Sequence, residues 1–237
     1  MYETVQSILA KSGHINHKYL KESESDKKAV IVVTANRGLA GGYNSNITRM
    51  IIDEGFTKEN TVVYAVGKKG RELLERKGYE IKADYSEAIN DPIYKDAKEI
   101  CDDVLSAFAD GEVGEIYLAY TVFKNTVVHE PQLIRLLPVE ADDAAHETDG
   151  SEALMTYEPS EEEALDMIIP KYVCSLVYGA LIESVASENG ARMQAMDSAT
   201  SNAEEMISTL SLKYNRARQA SITQELTEII AGANAIE

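Results

Sequence analysis

The chain has 237 residues, of which 44% are hydrophobic and 27% are charged, and this is the composition of an ordinary globular protein. The formal net charge of −17 excludes a protein that binds nucleic acid through its phosphates, because such binding needs clustered Lys and Arg. No uninterrupted apolar run is long enough to span a membrane, and no basic region precedes an apolar one at the N-terminus. We therefore expect neither direct membrane insertion nor a secretory signal.

Residues 28–137 alternate short apolar runs with amphipathic segments. The runs predict strands at 28–34, 61–66 and 115–121, a half-charged segment predicts one at 80–85, and an alternating pattern predicts one at 126–137. The amphipathic segments predict one helix from Asn44 or Ser45 to about 54, and two more at 68–77 and 93–108. A turn at Lys124-Asn125 joins the last two strands into an antiparallel hairpin. This order predicts an α/β fold, namely a Rossmann-like mixed sheet whose strands are parallel at first.

The last third of the chain, residues 170–231, predicts one long helix, because it has no proline after Pro170 and few glycines. Such a helix spans roughly 90 Å, so we expect it to protrude from the globular domain. Its apolar residues recur at heptad spacing and predict a coiled-coil partner. This apolar ladder consists of Ile182, Val185, Met196, Ala199, Ala203, Met206 and Leu210. Its methionines and Met193 are interpreted as packing residues rather than as a ligand pocket.

Three domains follow from these patterns. Residues 1–27 are interpreted as the end of a helix and a charged linker, and residues 28–158 as the globular domain. Residues 159–237 are interpreted as the long C-terminal helix, with a cap at 157–160 and acidic residues in its first turn. The acidic segment 140–152 between them predicts a solvated loop.

The glycine-rich turn after the first strand occupies the place where dinucleotide folds bind pyrophosphate. Its sequence, Gly38-Leu39-Ala40-Gly41-Gly42, has neither the dinucleotide nor the P-loop spacing. One alternative nevertheless stays open at this point: an α/β ligand- or nucleotide-sensing domain that dimerises through the long helix.

No metal site is predicted. His14 and His17 are three residues apart and could form half of a site on a helix, but no acidic or cysteine partner is evident, so we expect both to be exposed. The acidic residues of the predicted loop lack the order of a calcium-binding loop. They are Asp142, Asp143, Glu147 and Asp149.

No catalytic site is predicted either. His129 and His146 have no nucleophile in a recognisable motif near them. Cys101 and Cys174 lie in different predicted helices without metal-type spacing, so we expect free thiols. The sequence therefore predicts no catalytic residue and no cofactor.

Residues 37–44, 191–203 and 213–233 are three blocks that, in this order, resemble the gamma subunit of F-type ATP synthase. The most extensive is residues 213–233, which contains Arg216-Ala217-Arg218-Gln219-Ala220-Ser221-Ile222-Thr223-Gln224-Glu225. The others are residues 191–203 and the turn Arg37-Gly38-Leu39-Ala40-Gly41-Gly42-Tyr43-Asn44. The resemblance implies a central rotor stalk that couples ion-driven rotation to ATP synthesis and hydrolysis, with the catalytic residues on the beta subunits.

The resemblance also implies partners and contact residues. The partners are the alpha and beta subunits of the catalytic head, the epsilon subunit and the membrane c-ring, at the cytoplasmic face of a bacterial cell membrane. Four residues of the long helix match family positions that contact beta-subunit loops, and they are Arg218, Gln219, Thr223 and Glu225. The glycine turn matches part of the family's foot, near the c-ring and the epsilon subunit, and its residues include Arg37, Gly38, Gly41 and Gly42.

Full-length members of this family begin with another long helix that pairs with the C-terminal one. Residues 1–10 resemble only the end of that helix. If the apolar ladder has no cover, we expect the isolated chain to self-associate.

Overall fold

The computed structural model describes residues 17–20, 25–139 and 161–234. The predicted end of an N-terminal helix and His14 lie outside these residues, as do the predicted acidic loop, His146 and the cap at 157–160.

Five strands and four helices make up the described elements. The strands are β1 (Lys28–Val33), β2 (Thr61–Val66), β3 (Glu80–Asp84), β4 (Glu115–Phe123) and β5 (His129–Leu137). The helices are α1 (Tyr43–Asp53), α2 (Lys68–Arg76), α3 (Tyr94–Ala109) and α4 (Glu161–Asn234).

The strands form one mixed sheet in the order β3-β2-β1-β4-β5. β1 is parallel to both β2 and β4, β2 is parallel to β3, and β5 runs antiparallel to β4. In the pair of β1 and β4, Lys28 lies opposite Glu115, and their side chains form an ion pair of 2.7 Å. The predicted fold class is confirmed, including the antiparallel hairpin at the edge.

Both faces of the sheet are covered, which explains why the central strands are almost entirely apolar. On one face, Ala29, Ile31 and Val33 pack in a cluster with side chains of α3 and of the beginning of α4. On the other face, Val30 and Val32 pack with side chains of α1 and α2. The alternation along β1 thus places the first part of α4 in the core.

α4 is a continuous helix of 74 residues that contains Pro170. Leu165, Ile169 and Val173, at spacings of four residues, are buried against the sheet. By length and composition the helix could cross a membrane, since its most apolar window has a mean hydropathy of 1.5. Apolar core residues at its beginning contribute to this hydropathy.

The chain divides into two compact units, Met1–Arg192 and Met193–Glu237. The beginning of α4 therefore belongs to the first unit, together with the sheet. In the second unit, every side chain from Met196 to Asn234 is exposed.

The start of α1 differs from the prediction. The helix begins at Tyr43, and its N-cap is Gly42 rather than Asn44 or Ser45. The Asn44 side chain instead accepts a hydrogen bond from the backbone N–H of Ala35, at 2.8 Å. Asn44 therefore stabilises the glycine turn and does not cap the helix.

β5 also begins later than predicted, at His129. The Asn125 side chain accepts hydrogen bonds from the backbone N–H groups of Val127 (2.9 Å) and Val128 (2.8 Å), which makes these residues part of the turn.

The expectation that His17 is exposed is wrong. His17 is buried, and its Nε2 lies 3.3 Å from a carboxylate oxygen of Asp166 on α4. Lys18 pairs with the same carboxylate at 2.8 Å, and its hydrogen bond lowers the pKa of Asp166. The acidic partner was not evident in the sequence because it lies far along the chain. Within the described ranges, no three His, Cys, Asp or Glu residues come together as a possible metal site.

Candidate functional site

Two serines of α4 bind the backbone of β4 at a single residue, Thr121. The Thr121 N–H donates to Ser184 Oγ at 3.4 Å, and Ser187 Oγ donates to the Thr121 carbonyl at 3.2 Å. Both serines have no exposed surface. Because they are three residues apart, they lie on the same face of the helix and can contact one strand residue together.

Tyr43, the first residue of α1, makes a third bond to the same turn of α4. Its phenol donates to the backbone carbonyl of Ser184 at 3.0 Å. Burial raises the pKa of the Tyr43 phenol, so the hydroxyl stays protonated and remains a donor.

Gly190 lies where α4 passes the start of β5. A Cβ atom on Gly190 would come within 2.6 Å of Cε1 of His129, so only glycine fits without a shift of the ring. The His129 ring also contacts Phe123, with 5.8 Å between the ring centroids. We call Tyr43, Thr121, Ser184, Ser187 and Gly190 the docking cluster.

The glycine turn lies beside the docking cluster. Ala40 of this turn, and Ala35 just after β1, pack with Tyr43 and with Ala191 of α4. Open α/β sheets bind nucleotides outside the carboxyl ends of the strands, where the strand order reverses, which here is between β1 and β4. The α1 and α4 side chains fill this position, so the geometry does not favour the nucleotide-sensing alternative.

The outer surface of the same turn is open. Leu39 has a positive φ of 64° and is 75% exposed, and Gly41 has a φ of 55°. The four predicted foot residues are also exposed, and they are Arg37, Gly38, Gly41 and Gly42. The structure therefore brings these four residues together on one loop.

The four predicted beta-contact residues are all exposed on the second unit. With 3.6 residues per turn, Arg218 and Glu225 lie about two turns apart on one side of the helix. Gln219 and Thr223 are four residues apart on another side. Ile222 lies between these two sides, so polar groups flank an apolar strip.

Large apolar side chains recur along much of the second unit, on this strip and to either side of it. Their exposed fractions lie between 48% and 67%. They are Met206, Ile207, Leu210, Leu212, Tyr214, Ile222, Leu226, Ile229 and Ile230, and we call them the exposed apolar surface of α4. Among them, Ile207, Leu210 and Tyr214 lie next to one another, and exposed apolar surface of this kind marks a protein–protein contact.

The docking cluster was missed in the sequence. The heptad pattern predicts that Ile182 lies on the face of the helix that packs against a partner. In the structure Ile182 is 44% exposed, whereas Leu181 and Ser184 are buried. A signal was present: Leu181, Ser184 and Ser187 recur every three residues and continue the spacing of the core-facing side chains. Nothing local indicated that Tyr43 would reach this turn, because its partner is 141 residues away in the sequence.

The family model described as ATP synthase matches residues 1–236. Among curated proteins, the chain is 66% identical to the ATP synthase gamma chain of Lachnoclostridium phytofermentans, over 100% of this chain and 83% of that protein. It is 41% identical to the sodium ion specific ATP synthase gamma chain of Acetobacterium woodii, over 100% and 83% respectively.

Solved structures share the fold. A chain of the mitochondrial ATP synthase of Euglena gracilis, solved with its OSCP, F1 and c-ring, matches with a TM-score of 0.66 and 19% identity, over 99% of this chain and 90% of that one. A chain of the central stalk and c-ring of the Tetrahymena thermophila mitochondrial enzyme matches with a TM-score of 0.63 and 24% identity, over 83% and 86%.

Proposed function

The chain belongs to the ATP synthase gamma chain family, and we propose that, as a central rotor stalk subunit, it couples ion-driven rotation to ATP synthesis and hydrolysis by the catalytic beta subunits. The observation that carries this proposal is the uninterrupted 74-residue helix, which begins in the sheet core and continues into a fully exposed apolar surface.

The exposed apolar surface of α4 is proposed to turn within the head formed by the alpha and beta subunits. The side chains around this helix do not repeat with three-fold symmetry, so the shaft contacts three identical catalytic subunits differently at any moment. The difference in contact free energy shifts each beta subunit between its open and closed states, and rotation thereby changes nucleotide affinity. The self-association expected of the isolated chain stays a prediction. Its cause would be the same apolar side chains of α4, which bind a second copy when no head covers them.

The polar residues beside the strip are proposed to contact loops of the beta subunits. Arg218 supplies charge-assisted hydrogen bonds to carbonyl or carboxylate groups, and Glu225 accepts them on the same side of the helix. Gln219 and Thr223 offer neutral donors and acceptors on the other side. The chemistry takes place on the beta subunits, and this chain contributes no catalytic residue and no cofactor.

The glycine turn is proposed as part of the foot, where the chain contacts the epsilon subunit and the membrane c-ring. Its exposed backbone and Arg37 give such partners polar groups to bind. The complex would then lie at the cytoplasmic face of a bacterial cell membrane, with no insertion of this chain into the bilayer.

Reconstitution with alpha and beta subunits tests the proposal. We expect ATP hydrolysis by the head to depend on this chain, and the variant Arg218→Ala to bind the head more weakly. Loss of one charge-assisted hydrogen bond costs about 1.5–3 kcal/mol, which is roughly a tenfold or greater loss of affinity.

A matched control is Lys171→Ala, which removes the same charge from an exposed position in the first part of α4. This variant should bind the head like the wild type. Equal affinities of the two variants would contradict the assignment of Arg218, and hydrolysis that is independent of the chain would contradict the proposed function.

A further inference from the structure

We propose that the docking cluster is the torque-bearing junction of this chain and that Tyr43, Ser184 and Ser187 are positioning residues for energy coupling. This inference rests on the proposed function, because it concerns how a load on α4 reaches the sheet domain.

Three hydrogen bonds of the cluster tie the Ser184–Ser187 turn of α4 to the sheet domain. Nearer the start of the helix, Leu165, Ile169 and Val173 bury apolar side chains in the core. Burial of apolar surface resists separation of the helix from the sheet, but it is non-directional. Hydrogen bonds weaken steeply when their angle changes, so the three bonds of the cluster oppose rotation or sliding of the helix.

The cluster also lies where the load arrives. Gly190 is the last residue of α4 that is buried, and exposed side chains follow it along the helix. Force applied to later residues therefore passes through the turns of Ser184 and Ser187 before it reaches the apolar contacts. At Gly190 the missing side chain leaves room for the His129 ring of β5, and this close contact hinders sliding of the helix.

The sheet offers the helix a prepared anchoring point at Thr121. The pairing of β1 with β4 ends at Ala119, so β1 does not reach Thr121. Across the hairpin, Thr121 lies opposite Pro131, but both of its backbone groups bind the serines of α4, so they point away from β5 and toward the side where β1 has ended. The Thr121 backbone groups are thereby available to the two serines of α4. Because β4 lies inside the sheet between β1 and β5, force at Thr121 spreads into the sheet.

The test uses hydroxyl deletions in the complete ATP synthase, reconstituted in lipid vesicles. Tyr43→Phe removes the bond to the Ser184 carbonyl, and Ser187→Ala removes the bond to the Thr121 carbonyl. The matched control is Tyr79→Phe, since the Tyr79 phenol is also buried and donates to a backbone carbonyl, at 2.6 Å, away from α4.

The readouts are the rate of ATP hydrolysis, the rate of ATP-driven ion transport, and the melting temperature of each variant. All three variants should lose similar stability and retain hydrolysis. Only Tyr43→Phe and Ser187→Ala should transport fewer ions per ATP than the wild type, because a junction with one hydrogen bond fewer yields more readily under load.

A purely structural role predicts a different result. In that case the double variant of Tyr43→Phe and Ser187→Ala would melt at a lower temperature but transport as many ions per ATP as the control, and this would overturn the proposal. If the wild-type chain supports no hydrolysis at all, the proposed function fails, and the inference fails with it. Tyr79→Phe separates these cases, because it should transport as many ions per ATP as the wild type.

Discussion

Replacing Gly190 with alanine tests the tight approach of α4 to the hairpin. The added methyl group would lie 2.6 Å from Cε1 and 3.0 Å from Nε2 of His129, which is closer than real side chains approach. The ring is in contact with Phe123, which would itself lie 3.6 Å from the added methyl group, so the two rings have to shift together. The same helix offers a control at Gly179, where an added methyl group would meet nothing within 4 Å.

The two variants should change stability in opposite directions. In a helix, alanine is more favourable than glycine by about 1 kcal/mol, and both variants gain this amount. At Gly190, overpacking costs about 1–3 kcal/mol in addition. Gly179→Ala should therefore be more stable than the wild type. Gly190→Ala should be at best as stable as the wild type, and its free energy of unfolding should be lower by up to about 2 kcal/mol.

Urea unfolding followed by circular dichroism measures both free energies of unfolding. Adding His129→Ala should remove most of the penalty at Gly190, with a coupling energy of about 1 kcal/mol or more. If Gly190→Ala is as stable as Gly179→Ala, the helix does not approach the hairpin as closely as the structure shows, and the reasoning is refuted.

Three further predictions concern the rest of the sheet domain. Gly67→Ala should destabilise the chain by several kcal/mol more than Gly55→Ala, as measured by thermal melting. Both glycines have a positive φ, but only a Cβ on Gly67 would lie 2.0 Å from a backbone oxygen. Cys101 and Cys174 are buried, and burial raises the pKa of the Cys101 thiol. A thiol reagent should therefore label both cysteines only as fast as the chain unfolds, and rapid labelling of the native chain would contradict this. Burial alone would raise the pKa of Glu115, but the hydrogen bond from Lys28 brings the pKa below 4.5. The ion pair should therefore stabilise the fold above about pH 4.5, and its contribution should be lost as the pH falls further. The free-energy difference between Glu115→Gln and the wild type, measured against pH, should shrink in that acidic range, and a difference independent of pH would refute the assignment.

The sheet could be predicted because its signals are local. The run Ala29 to Val33 has no room for a polar face, so it had to be a strand covered on both sides. Likewise, the scarcity of helix breakers after Pro170 predicted the long helix. The three sequence blocks indicated the family, and the family model and the relatives confirm it.

The docking cluster could not be predicted, because it depends on contacts between distant segments. A serine in a helix is usually a solvated residue, and only the position of Thr121 on the neighbouring strand shows why Ser184 and Ser187 are buried. His17 was assigned to the surface for the same reason, since Asp166 lies on another element. Asn is common at helix N-caps, which is why the sequence predicts Asn44 as a cap. In the structure its side chain instead accepts a hydrogen bond from the Ala35 N–H.

Rotation of the sheet domain during ATP hydrolysis is the most direct test of the central claim. The variant Lys77→Cys places a thiol on an exposed residue of the sheet domain, and the native thiols are buried, so a probe can be attached there alone. In a complex with alpha and beta subunits held on a surface, the probe should rotate in one direction when ATP is added. A probe that stays still while the head hydrolyses ATP would contradict the account.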